Sequence, residues 1–116
     1  MVKTKDDCLF CKIVKGDIPS EKIYEDDLVI GFNDINPVAP THILIIPKDH
    51  FSSLNDFEAE DTKLLGEVVY RAKQIAKTLN LEDYRLVTNT GAKAGQSVFH
   101  LHFHLIAGRD LNWPPG

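Results

Sequence analysis

Histidines 100, 102 and 104 alternate with Leu101, Phe103 and Leu105. A β-strand turns successive side chains to opposite faces, so this spacing puts three imidazoles on one face and three apolar side chains on the other. The apolar face must pack on a core. Imidazole has an ordinary pKa of roughly 6.5, so near neutrality it can attack, carry a proton or bind a metal. Three together would crowd polar groups where a core wants none, so packing alone does not explain them. A surface row, a catalytic metal site and covalent phosphoryl chemistry remain as readings. The segment just before, Gly95-Gln96-Ser97, favours the last. Its backbone amides and hydroxyl supply the convergent donors that phosphate oxygens need.

A second cluster-forming motif is Cys8-x-x-Cys11, the only cysteines in the chain. In a reducing compartment this spacing points to metal ligation or redox chemistry more than to a structural disulfide.

The elements that must position these residues are legible in outline. Leu9 to Val14 reads as a short helix ended by Gly16 and Pro19. Ile23-Tyr24 and Leu28 to Ile30 form a hairpin across a turn at Asp26-Asp27. Asn33 to Pro37, with Pro40, reads as a loop. His42 to Ile46 is a strand stopped by Pro47, and its continuous apolar run predicts cover on both faces. Between about Glu58 and Leu79, Leu64, Leu65, Val68, Val69, Ala72, Ile75, Ala76 and Leu79 recur at helical spacing. Asn80 suits a left-handed cap. Tyr84 to Asn89 and Val98 to Ala107 are two further strands, and Gly108 with Pro114-Pro115 ends regular structure. One long helix among turn-separated strands predicts an α+β fold with a mainly antiparallel sheet of about five strands.

Residues 1–116 fit a single domain. Lys and Arg total 13 against 17 Asp and Glu. That balance argues against binding a nucleic-acid backbone and leaves a mononucleotide open. No stretch reaches the ~20 apolar residues of a membrane span, and the charged start, Met1 to Asp7, lacks the apolar run of a signal peptide. A cytoplasmic protein without membrane or nucleic-acid partners is expected.

The run from His100 to Ile106 resembles the H-x-H-x-H-x-x pattern of the histidine triad (HIT) family. Similarity extends to Phe32-Asn33-Asp34-Ile35, Pro40-Thr41-His42, Ile46-Pro47-Lys48, His50, Asn89-x-Gly91 and Gly95 to Val98. The ending Trp113-Pro114-Pro115-Gly116 resembles the Hint branch. The resemblance implies a HIT-like fold and a hydrolase that cleaves purine nucleoside phosphoramidates or adenylated amines at the α-phosphate. His102 would be the nucleophile and form a nucleotidyl-histidine intermediate. His104 would assist the leaving group, His42 would extend that relay, and Ser97 with the amides near Gly95, Gln96 and Val98 would stabilise transition-state charge. The His100 carbonyl would orient His102. Asp34, with Ile35 beside it, would meet the ribose, Asn89 the phosphate side, and Leu9, Phe10, Ile13, Ile18 and Phe32 an apolar slot for adenine or guanine. Trp113 would reach the site of the other subunit in a homodimer.

The resemblance also implies a structural zinc on Cys8, Cys11, His50 and His100, with no cofactor needed for catalysis. Free buried thiols and a redox pair stay open. So do two other functions: a dinucleoside polyphosphate hydrolase of the Fhit kind, and a non-catalytic nucleotide-binding or interaction module.

Overall fold

The computed structural model describes residues 3–116; Met1 and Val2 lie outside the described residues. Five strands form one antiparallel sheet: β1 (Lys22–Glu25), β2 (Val29–Asn33), β3 (Thr41–Pro47), β4 (Tyr84–Val87) and β5 (Phe103–Ala107). Their order across the sheet is β1-β2-β3-β5-β4. A short helix α1 (Leu9–Lys15) precedes them, and the long helix α2 (Thr62–Thr78) joins β3 to β4. The expected α+β architecture is therefore present.

Each face of the sheet has its own core. Val68, Ala72, Ile75 and Ala76 of α2 pack on Val29, Ile43, Ile45, Leu101, Phe103 and Leu105. On the other face Phe10, Cys11 and Ile13 of α1 pack on Ile30, Phe32, Leu44 and Ile46. Alternation along β3 sends Ile43 and Ile45 one way and Leu44 and Ile46 the other, which is why the whole run is apolar. Gly31 lets α2 approach closely, since a Cβ there would sit 3.2 Å from Ile75 Cδ1.

The helix ends follow the turn chemistry. Gly16 caps α1 at φ 83°, its N–H reaching the Ile13 and Lys12 carbonyls. Asn80 adopts φ 58° after α2, the left-handed conformation its type suggests. Several boundaries differ from expectation. The long helix begins at Thr62 because Ala59–Asp61 is a separate 3₁₀ turn, bound reciprocally by Glu58 and Asp61. Asn33 belongs to β2, paired with Ile43, and Pro47 lies within β3 opposite Val29. β4 stops at Val87, short of Thr88 and Asn89.

One further difference bears on the site. A strand over Val98 to Ala107 is expected, yet β5 begins only at Phe103. Ile45 pairs with Phe103, so continuing the register would set Pro47 opposite Leu101. Proline has no N–H to give to a ladder. The Leu101 N–H turns instead to the Phe51 carbonyl at 2.6 Å. His100 and His102 thus precede the ladder rather than lie within it, although Leu101, Phe103 and Leu105 still share the α2-side core.

The first hairpin is tied to α2 by Asp26, which accepts from the Tyr24 hydroxyl, the Arg71 guanidinium and the N–H groups of Leu28 and Val29. Burial alone would raise the Asp26 pKa, but these four donors outweigh it and bring it down to about 2. Stability from a depressed carboxylate is complete above its unfolded pKa and is lost as pH falls through the folded one. The Asp26→Asn variant should therefore lose on the order of 2 kcal/mol at pH 7. Urea denaturation should show its deficit shrinking between about pH 4 and pH 2. A deficit that persists unchanged at pH 2 would contradict the assignment.

Candidate active site and metal centre

Two sets of imidazoles meet at the α1 side of the β3–β5 seam. Their protonation patterns follow from what each nitrogen faces. A neutral imidazole has one N–H and one lone pair. A carbonyl only accepts and a backbone N–H only donates, so either partner fixes the tautomer.

His102 is buried, and its Nδ1 lies 2.7 Å from the His100 carbonyl. Nδ1 must carry the proton, which leaves a lone pair on Nε2. Burial pushes its pKa below the ordinary value, against a rise from the His100 carbonyl and the Asp34 charge. An unprotonated Nε2 at neutral pH is what a nucleophile requires. The Thr88 hydroxyl donates to the His102 carbonyl at 2.8 Å, and Phe10 meets the ring edge-on at 5.1 Å. Nothing in the sequence marks Thr88 as a brace, because a threonine at a strand end is common.

His42 and His104 form a second ladder. The Val38 N–H donates to His42 Nδ1 at 3.1 Å. Nε2 of His42 then carries the proton and donates to Nδ1 of His104 at 2.8 Å. The remaining nitrogen, His104 Nε2, is left as an outward donor. Asp34 Oδ2 lies 3.4 Å from His42 Nε2. The other Asp34 oxygen accepts from the Asn36 N–H at 2.8 Å, so this residue also shapes the loop. Burial, then His102 and His42, pushes His104 down to about 4. The rings of His102 and His104 are 5.0 Å apart between centroids.

Beside them lies the sulfur cluster. Ligand atoms of Cys8, Cys11, His50 and His100 all fall within 4.8 Å of one another. Nδ1 of His100 is 3.4 Å from Cys8 Sγ and 3.5 Å from Cys11 Sγ, and Nδ1 of His50 is 3.3 Å from Cys11 Sγ. Tetrahedral zinc separates neighbouring sulfur and nitrogen ligands by roughly 3.5 Å. His100 Nε2 donates to the Pro47 carbonyl at 2.8 Å, so its Nδ1 presents a lone pair to the sulfurs. Burial keeps His50 below its ordinary pKa and His100 down to about 4, so both rings are neutral at pH 7. Burial pushes the Cys11 thiol up to about 11, so metal binding there would displace a proton. These four residues fit zinc. Asp34, His42 and His104 also cluster. Their 2.8 Å imidazole contact is a hydrogen-bond distance, and the Val38 N–H has already claimed the other His42 nitrogen.

The remaining expected residues divide. Phe10, Ile13, Ile18 and Phe32 pack in one apolar cluster. Leu9 is half exposed and lines a cavity of about 390 Å³ with Lys5, Asp7, Cys8, His50, Ser97, Val98 and Phe99. Gly95, at φ +103°, rests against the Asn89 amide. Gln96 is buried, its side chain is engaged with Gly91, Ser52 and Val98, and its N–H donates to the Gly91 carbonyl at 3.1 Å, so its donors are turned inward rather than toward a ligand. Ser97 is exposed. Ile35 and Trp113 stand clear of the chain at 92% and 81% exposure, so the single subunit does not bring Trp113 to the histidines by packing.

Comparison with known proteins agrees with this geometry. Residues 7–111 match the family described as scavenger mRNA decapping enzyme C-term binding. A HIT-like protein from Synechocystis sp. is 47% identical over 112 residues, covering 96% of this chain and 98% of that protein. A 14 kDa zinc-binding protein from Zea mays is 52% identical over 111 residues, covering 93% of this chain and 87% of its own. The crystal structure of a HIT family hydrolase from Legionella pneumophila superposes with a TM-score of 0.92 at 47% identity, covering 95% of this chain and 100% of that one. With its alternating histidines, its sheet and these relatives in agreement, the chain belongs to the histidine triad family.

Proposed function

We propose that the protein is a hydrolase of purine nucleoside phosphoramidates or adenylated amines, acting through a nucleotide bonded to His102. The observation that carries this reading is the fixed tautomer of His102, with Nδ1–H on the His100 carbonyl and a bare Nε2. Nε2 forms a bond to the α-phosphorus as the bond from phosphorus to the leaving nitrogen breaks. The electron pair leaves with that nitrogen, which takes a proton to depart as an amine. The neutral His104 Nε2–H, held in place by His42 and Asp34, hydrogen-bonds the departing nitrogen, and the proton that the amine gains comes from solvent. The imidazolium left on His102 keeps its Nδ1–H bond to the carbonyl. Water then attacks phosphorus, the P–Nε2 bond breaks, and a nucleoside monophosphate is released.

Asp34 holds the ribose hydroxyls in this reading, and the Ser97 hydroxyl with the Ser97 and Val98 N–H groups holds the phosphate, since the Gly95 and Gln96 N–H groups are spent on the Ala92 and Gly91 carbonyls. Ile35 and the apolar cluster around Phe10 and Phe32 take the purine. Zinc on Cys8, Cys11, His50 and His100 is structural: all four donors are spent on it, so no position is left open for substrate. The working form is a homodimer in the cytoplasm. Exposed Trp113, exposed Val69 and Tyr70 on α2, and the free edge of β4 support a second copy on that side. Among the described residues, no helix is long and apolar enough to cross a membrane.

The His102→Ala variant should lose at least ~10³-fold in kcat on an adenosine phosphoramidate while still binding AMP. Rapid quench and mass spectrometry of the unsubstituted protein should place a nucleotide adduct on His102. Turnover by the alanine variant at the normal rate would end the proposal. A diadenosine polyphosphate cleaved faster than the phosphoramidate would move the substrate to the Fhit kind.

Metal analysis of protein purified without chelator should give about one zinc per chain. Cys11→Ser should reduce that content and lower the melting temperature. Zinc-free protein with both thiols freely titratable and an unchanged melting temperature would refute the zinc assignment.

A further inference from the structure

His102 stands just outside the β5 ladder, so the sheet does not fix its ring. Its own carbonyl is held by Thr88 and the preceding peptide by Phe51, but both contacts act on backbone. The polar contact that orients the ring is the one from Nδ1–H to the His100 carbonyl. The orientation of the nucleophile therefore depends on where the residue-100 peptide sits.

The His100 ring is fully buried and is gripped on two sides. Nε2 is held by the Pro47 carbonyl, a sound hydrogen bond at 2.8 Å. Nδ1 faces only sulfur, and a thiol is a weak hydrogen-bond partner. Metal ligation would replace these weak contacts with one bond to an ion held by three other residues. Two come from α1, through Cys8 and Cys11, and one from His50 beyond β3. α1 also carries Phe10, whose ring edge meets His102 at 5.1 Å and His100 at 6.1 Å. Both supports of the nucleophile, the carbonyl and the aromatic wall, hang from the same four ligands.

We infer that Cys8, Cys11, His50 and His100, by binding zinc, position the His102 ring and hold it in its Nδ1–H tautomer. They are positioning residues that act through the residue-100 peptide and through Phe10. The inference shares with the proposed function the role of His102, but the tautomer is measurable without any substrate. His42 and His104 draw their tautomers from the Val38 N–H, on the other side of the seam, and do not depend on the cluster.

The test compares full-length protein loaded with Zn²⁺ and stripped by chelator, using ¹⁵N-labelled imidazoles and NMR at neutral pH. The loaded protein should show His102 as a single Nδ1–H tautomer. In the stripped protein His102 should become a mixture while His42 and His104 stay unchanged and the far-UV circular dichroism is retained. The same stripping should lower kcat about tenfold or more with KM little changed. His50→Ala should show the stripped pattern even with zinc present. His50→Cys, which keeps four ligands, should restore the single His102 tautomer.

A His102 signal that does not respond to stripping would overturn the inference. So would a His50→Cys variant that binds zinc yet leaves His102 mixed. Loss of the far-UV signal on stripping would assign the metal to the whole fold and overturn it as well. If His102 responds as expected but the loaded protein does not cleave the phosphoramidate, the positioning role stands and the proposed reaction falls.

Discussion

A buried neutral imidazole must place its single proton on one nitrogen, and here the backbone makes that choice. The His100 carbonyl takes the His102 proton, the Pro47 carbonyl takes the His100 proton, and the Val38 N–H denies His42 a proton at Nδ1. Each partner can play only one hydrogen-bonding role, so three side chains of one chemical type acquire three different jobs. One keeps a bare lone pair on Nε2, one presents a lone pair to sulfur, and one passes a donor outward through His104. Burial reinforces the choice by keeping His100, His102 and His104 uncharged near neutrality.

The same constraint explains why the segment carrying His100 and His102 leaves the sheet. A ladder would consume the backbone groups of residues 98–102 in strand pairing. Pro47 breaks that pairing on the β3 side, because it has no N–H. Its carbonyl is then free for the His100 ring, and the His100 carbonyl is free for His102. β5 continues only from Phe103, where the sheet anchors the far end of the motif. His100 and His102 are thus carried by a rigid element without being part of its hydrogen bonding, while His42 and His104 lie within the ladder. Rigid support with free backbone acceptors suits a site that must orient small rings.

The two-sided core serves the same end. α2 covers one face and makes the sheet stable, while α1 covers the other and brings both cysteines and Phe10 to the histidines. Seven residues of helix are too few to be stable alone, so α1 depends on its packing and on whatever its cysteines bind. Structure and chemistry are coupled at this helix, whereas α2 packs on the opposite face of the sheet.

The sequence by itself determined the alternation that separates Leu101, Phe103 and Leu105 from the three histidines, because strand period is a local property. It also determined the doubly covered β3, the Gly16 and Asn80 caps and the stripe of α2. Only the tertiary structure decided that the strand of the motif starts at Phe103, since that depends on Pro47, which is 56 positions before it in the chain. It brought together the set that the family resemblance implies, with His100 parting from its two neighbours to join Cys8, Cys11 and His50, and it alone decided that Gln96 turns inward as a brace. Thr88, Pro47 and Val38 carried no recognisable signal, because two of them act through backbone groups that every residue has, and the third through a hydroxyl found at many strand ends. Local spacing fixes which way a side chain faces, but which nitrogen holds the proton is set by partners that only folding brings within 3 Å.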